Sequence, residues 1–204
     1  MIRKKRRIPE RPDITVLEAE LKQARYHERF VKIMKDAVIV LVAAAAASVL
    51  IATLWLPVFQ IFGSSMSPTL HEGEIVLALK GNSFHRGDVI GFYYGSKLLV
   101  KRYIAGPGEW IDIAEDGTVY VNDEALEEAY ISEKAFGNCN IDLPYQVPEN
   151  HFFVLGDHRD VSIDSRNTAI GCISDEQVVG KIVFCVWPIS NFGLLKNGGA
   201  KYGE

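Results

Sequence analysis

The chain has three cysteines in 204 residues, none in a CxxC pair and none grouped with histidine at zinc spacing. That rules out a disulfide-stapled scaffold and a structural zinc site. An odd number cannot pair fully within one chain. Cys172 and Cys185 could meet only on neighbouring strands, and the plainer reading makes Cys139, Cys172 and Cys185 small apolar fillers. Three of the histidines, His71, His85 and His151, do not share an element at ligand spacing, so no metal is expected and no cofactor motif calls for one. GxSxG is missing, since position 67 is Ser where that motif needs Gly. There is no internal repeat, no long amphipathic helix after residue 56 and no low-complexity tract beyond one alanine run. Charge of either sign is absent from Ala37 to Leu56.

That uncharged stretch, AVIVLVAAAAASVLIATLWL, is closed by Pro57. As a helix it spans about 30 Å, the thickness of a bilayer core. A buried core helix would carry a polar stripe, and this one holds only Ser48 and Thr53. A cleaved leader would have a shorter apolar stretch nearer the N-terminus, whereas 36 residues precede this one. An uncleaved anchor is expected. Residues 1–35 hold eleven Lys or Arg against five Asp or Glu, while the whole chain is at −4, so a basic head precedes an acidic body. Because the apolar run follows the head at once, nucleic acid is not the expected partner; the lipid bilayer is. Lys22, Arg25, Arg29, Lys32 and Lys35 precede the span and the first cation after it is Lys80. The excess of flanking cations predicts a single-pass protein of the cell membrane, N-terminus cytoplasmic and residues 58–204 extracytoplasmic. Ile14–Lys35 also reads as helical, with Asp13 as N-cap and Leu17, Leu21 and Ala24 at helical spacing. It is expected to extend the anchor.

Beyond residue 70 the pattern becomes short runs of β-branched and aromatic residues: 74–80, 88–94, 97–105, 109–114, 118–122, 151–156 and 177–187. Gly95-Ser96 and Asp116-Gly117 supply hairpin turns. The expected fold is mainly β, a mostly antiparallel, coiled β-sheet domain with one N-terminal transmembrane helix. The expected organisation is a basic, helical cytoplasmic segment (1–36), the anchor (37–57), an extracytoplasmic β-rich domain (58–190) and a C-terminal tail (191–204). Residues 123–148, with Pro144 and Pro148, read as loop.

Three stretches concentrate chemistry-bearing residues. The first is the turn Gly63–Leu70, with three serines. The second is Lys101–Gly108, in which Lys101 lies inside the apolar run LLVKRYIA. The third is Gly156–Arg166. Strand alternation puts Leu99, Lys101 and Tyr103 on one face and Val100, Arg102 and Ile104 on the other, so at least one cation shares the inward face. A surface lysine with a buried stem is the common alternative. At its reference pKa only about one lysine in 2,500 is neutral at pH 7. Burial depresses that pKa, and the neutral amine can then take a proton from a serine hydroxyl. A Ser–His–Asp triad using His158 is the rival. Asp157 and His158 are neighbours, and on a strand they would point to opposite faces, which argues against Asp157 orienting His158.

Together these stretches resemble the signature boxes of bacterial type I signal peptidases, and the resemblance covers the anchor and nearly all of residues 58–187. Ser65-Met66-Ser67-Pro68-Thr69-Leu70 matches the serine box and Arg86-Gly87-Asp88-Val89-Ile90 a second. Lys101-Arg102-Tyr103-Ile104-Ala105, ending in Pro107-Gly108, matches the lysine box. Gly156-Asp157, Arg159, Ser162, Asp164, Ser165 and Arg166 match the last. The resemblance implies a membrane-bound serine endopeptidase that removes signal peptides by a Ser–Lys dyad, with preproteins as substrates and the secretion machinery as a candidate partner. It makes Ser65 the nucleophile, Lys101 the general base, Ser162 the residue that orients the amine, and Asp157, Asp164 and Arg166 supports of the site. Met66 would help place the serine at the surface lying against the membrane. Two positions depart from the pattern. Gly63 stands where some members carry a serine that donates to the oxyanion, as in many Gram-positive members, and His158 stands where Asn is usual. A self-cleaving Ser–Lys regulator would need a DNA-binding helical domain, and none is visible. A non-catalytic membrane-anchored homologue would not need Ser65, Lys101 and Ser162 intact.

Overall fold

The computed structural model describes residues 14–81 and 83–195. The chain divides into two compact units, Met1–Ile51 and Ala52–Glu204. A single helix, α1 (Ile14–Trp55), runs for 42 residues without an internal Gly or Pro, and it stops just before Pro57, which disfavours helix in the residue ahead of it. The basic segment from Ile14 and the uncharged stretch are therefore one element. The residue expected to cap it, Asp13, lies outside the described residues. From Val38 to Val42 and from Val49 to Ile51 every large apolar side chain is more than half exposed. A helix apolar on all sides lacks the polar face that a water-facing helix needs. Ser48 satisfies its hydroxyl within the helix, donating to the Ala44 carbonyl at 2.8 Å. This helix is long and apolar enough to cross a membrane.

Among the described residues the second unit holds twelve strands and two single 3₁₀ turns. The strands are β1 (Val58–Gln60), β2 (Ile75–Leu79), β3 (Val89–Tyr94), β4 (Lys97–Ala105), β5 (Trp110–Ile113) and β6 (Val119–Val121). They continue with β7 (Glu124–Ala125), β8 (Tyr145–Gln146), β9 (His151–Leu155), β10 (Ile173–Ser174), β11 (Val178–Trp187) and β12 (Gly193–Leu194). The larger sheet has the order β1-β2-β11-β3-β4-β9-β10, with β12 also on β11; the smaller has the order β7-β6-β5-β8. Every pairing is antiparallel. The fold is thus mainly β and antiparallel, as expected.

Each run singled out by its β-branched and aromatic residues forms a strand. Gly95, at φ 59°, makes the two-residue turn that sets Tyr94 opposite Lys97, and Asp116-Gly117 closes the β5–β6 hairpin. β1, β7, β8, β10 and β12 were not expected. Each is two or three residues long, too short for an alternating pattern, and is defined only by the strand it pairs with. The site-bearing strand β4 is held between β3 and β9 and both its faces are covered. Ile104 and Ala105 pack with Ile111, Val121, Phe153 and Leu155. Met66 and Leu70 pack with Val76, Val89 and Ile182 under the serine turn.

Candidate active site

The turn that carries Ser65 is fixed from below. Met66 is 1 % exposed and Leu70 fully buried, and the Leu70 N–H donates to the Met66 carbonyl at 2.9 Å. Two apolar anchors on one side of a short turn leave Ser65, half-buried, facing β4. Gly63 enters the turn at φ 77°, a left-handed conformation that favours glycine. A Cβ there would meet nothing, so the requirement lies in the backbone and not in space. The Ser65 N–H has no hydrogen-bond partner among the described residues, which leaves it free to donate to an incoming oxyanion.

β4 brings Lys101 to that serine. Its Nζ lies 2.6 Å from Ser65 Oγ and the side chain is 4 % exposed. Desolvation lowers its pKa from 10.5 to about 8, against the pull of Asp164 and Asp157 and with the help of Arg166. A lysine in this state has a substantial neutral fraction near neutral pH and can act as a base. Alternation placed at least one cation of the pair on an inward face; in the structure both are buried, Arg102 completely. β3, β9 and the layers packed on β4 bury this part of the strand, so the surface-lysine alternative does not hold.

The last stretch closes around the dyad. Asp157 and His158 follow the end of β9 in a loop, so the strand argument used to separate them does not apply. Their partners separate them instead. Asp157 is buried and takes two hydrogen bonds from Arg102, Nε at 2.7 Å and Nη2 at 2.6 Å, plus one from Thr69 at 2.5 Å. The His158 ring is exposed, and it is the His158 backbone N–H that reaches the Ser65 carbonyl, at 3.1 Å. Asp164 accepts from Gly156 N at 3.0 Å and from Arg166 Nε and Nη2 at 2.9 Å each. Ser162 is 1 % exposed and its Oγ has no hydrogen-bond partner among the described residues, so in this structure the Lys101 amine is held by Ser65 and not by Ser162. Gly156 is the close approach: a Cβ would lie 2.2 Å from Ser162 Oγ and 2.5 Å from the Ser65 carbonyl.

Sequence reasoning missed a second layer. Glu128 clamps Arg159 with both carboxylate oxygens, and Tyr130 donates to Glu128 at 2.7 Å while its ring lies 3.8 Å from the Arg102 guanidinium. Both lie in the segment read as loop, where no periodicity could announce them. The second box also braces β4: Arg86 Nε donates to the Ile104 carbonyl at 2.9 Å, and buried Asp88 pairs with Lys181 at 2.7 Å. Among the described residues no disulfide joins Cys139, Cys172 or Cys185; Cys172 and Cys185 pack in different cores. Among the described residues no three His, Cys, Asp or Glu side chains converge as metal ligands.

Beside the dyad is a recess of about 40 Å³ lined by Gln60, Ile61, Phe62, Met66 and Leu98 to Val100, with Ser65 and Lys101 at its mouth. Its size admits only a small side chain. A buried lysine on a serine hydroxyl, beside a free N–H and a small recess, is equipped for acyl transfer to serine.

The comparisons with known proteins point the same way. The profile of the family described as signal peptidase, peptidase S26, matches residues 31–187. Signal peptidase I of Bacillus licheniformis is 34 % identical over 164 residues, 74 % of this chain and 87 % of that one. Signal peptidase I U of Bacillus subtilis is 34 % identical over 177 residues, 81 % of this chain and 94 % of its own length. A crystal structure of a signal peptidase I from Enterococcus faecalis aligns with 48 % of this chain and 96 % of that one, at 29 % identity and a TM-score of 0.42. The matched region holds the serine turn, β4 and the loop after β9, and the chain belongs to the signal peptidase I family of serine peptidases, peptidase S26.

Proposed function

We propose that this chain removes signal peptides from exported preproteins at the outer face of the cell membrane, through an acyl-enzyme formed on Ser65 with Lys101 as general base. The observation that carries this reading is the 2.6 Å approach of a buried lysine amine to a serine hydroxyl. Neutral Lys101 takes the Ser65 proton as Oγ attacks the scissile carbonyl. The oxyanion is met by the Ser65 N–H, the lysine ammonium protonates the departing amine, and water then releases the signal peptide. Ser162 Oγ, buried and unpartnered, is available to hold the amine when Ser65 is acylated. Gly63 shapes the turn and Met66 anchors it, while Asp157, Asp164 and Arg166 support the surrounding loop.

The small recess favours a residue such as alanine before the cut. The uncharged part of α1 acts as the anchor, with residues 1–36 inside and the β domain outside; tethering to the bilayer raises the effective concentration of enzyme and membrane-bound substrate. Two experiments test this. Detergent-solubilised protein is incubated with a preprotein and the product N-terminus sequenced, for wild type and Ser65→Ala; cleavage after a small residue by wild type alone is expected. External protease on intact spheroplasts should digest the β domain, and digestion confined to the N-terminal segment would reverse the orientation.

A further inference from the structure

Two depressions adjoin the turn that carries Ser65. Ser65 itself lines the first, the small recess already described. The turn continues into Ser67, Pro68 and His71, which with Ser132, Glu133, Ala135 and Asp157 to Asp160 line a second, a cavity of about 460 Å³. The two share no lining residue. The link between them is the Ser65 carbonyl, which accepts from the N–H of His158, a residue of the larger cavity.

The larger cavity is preformed. Its far wall is pinned by Glu128 on Arg159, by Tyr130 on Arg102, and by Arg166 Nη1 donating to the Phe136 carbonyl at 2.8 Å. Those ion pairs also consume the charges beneath it: Asp157 is taken by Arg102 and Arg159 by Glu128. Glu133 and Asp160 remain. Both are exposed, and neither carboxylate has an ion-pair or hydrogen-bond partner among the described residues. The cavity therefore presents two uncompensated negative charges beside the turn that carries Ser65, whereas no carboxylate lines the small recess.

We propose that this cavity binds the polypeptide that follows the scissile bond, as a polar subsite that accepts neutral or basic residues and disfavours acidic ones. The inference rests on the reading of Ser65 as an endopeptidase nucleophile. With the scissile carbonyl at Ser65 Oγ, a recess of about 40 Å³ holds only the small residue before the cut, so the chain beyond the cut lies outside it, and the larger cavity beside the same turn is open to receive it. The new α-ammonium formed by cleavage also emerges there, on the side of Glu133 and Asp160.

The test uses the full-length chain in detergent and two quenched peptide series with the same signal-side residues, small at the first and third positions before the cut. One series carries Lys and the other Glu at the second and third positions after it. Wild type should cleave the Lys series with kcat/KM about threefold to tenfold above the Glu series at low salt, the scale of two exposed charge pairs. In the double variant Glu133→Gln/Asp160→Asn the ratio should fall to about one, with thermal stability unchanged. Moving the charges to the signal side should leave wild type and variant indistinguishable. Cleavage with the same Lys/Glu ratio in both proteins overturns the subsite while the endopeptidase reading stands. No cleavage of any peptide by wild type overturns that reading and this one with it.

Discussion

Lys101 and Arg102 are consecutive cations on one strand, both buried, and the protein treats them in opposite ways. Arg102 sits in a ring of compensation: two hydrogen bonds to Asp157, one to Thr69, one to the Gly87 carbonyl and the face of Tyr130. Lys101 has a neutral serine hydroxyl within hydrogen-bond distance and, among the described residues, no carboxylate in ion-pair contact. A guanidinium stays charged, so burying one calls for counter-charges. Lysine can lose its proton, and desolvation at Lys101 brings its pKa down to about 8. The carboxylates that could have rescued Lys101, Asp157 and Asp164, are already bound to Arg102 and Arg166. Arg166 also adds its own downward pull on the Lys101 pKa.

Breaking the Lys101 side should give the largest effect. Lys101→Arg keeps a cation but cannot supply a neutral base, so turnover should fall by about three orders of magnitude or more, in a preprotein cleavage assay with folding checked by circular dichroism. Retained activity would remove Lys101 from the base role. Breaking the Arg102 side should cost stability first. Asp157→Asn leaves a buried guanidinium short of its counter-charge and should destabilise by about 3–5 kcal/mol in urea unfolding. The same change removes one of the charges that raise the Lys101 pKa, so the rise of the pH–rate profile should move to lower pH.

The comparison also fixes the sign of a stability effect. Lys101 has a folded-state pKa of about 8 against an unfolded value of 10.5, so the unfolded chain binds the extra proton. Stability lost to this group is complete below pH 8, is recovered as pH rises from 8 to 10.5, and is absent above that. Lys101→Met should therefore be more stable than wild type at pH 7 by up to about 3 kcal/mol, with the gain vanishing near pH 10.5. An equally large gain at both pH values would mean that charge burial is not its source. The smallest effect belongs to His158→Ala. Its ring is exposed and its contact with Ser65 runs through the backbone, so turnover should drop tenfold or less. Loss of activity in this variant alongside an active Lys101→Arg would replace the dyad with a histidine mechanism.

Much of this was written in the sequence because it depends on periods and on local chemistry. The twenty uncharged residues from Ala37 to Leu56 and the long strands follow from side-chain pattern, and the hairpin at Gly95 from turn chemistry, since each concerns neighbours in the chain. The four boxes marked Ser65, Lys101 and the loop from Gly156 as one site. Their contacts could not be read. Alternation allowed one of Lys101 and Arg102 to face solvent, and it took β3, β9 and the layers on both faces of β4 to bury both. Asp157 and His158 were separated by a strand argument where the chain is a loop, and their roles come from Arg102, Thr69 and Ser65, up to 93 residues away in sequence. Glu128 and Tyr130 carry no local signal because their partners arrive only on folding. Sequence determined which groups exist and where the chain bends. Only the tertiary structure decided which cation would find an acid and which would be left with a serine, because a pKa is set by desolvation and by charges that the fold brings within reach.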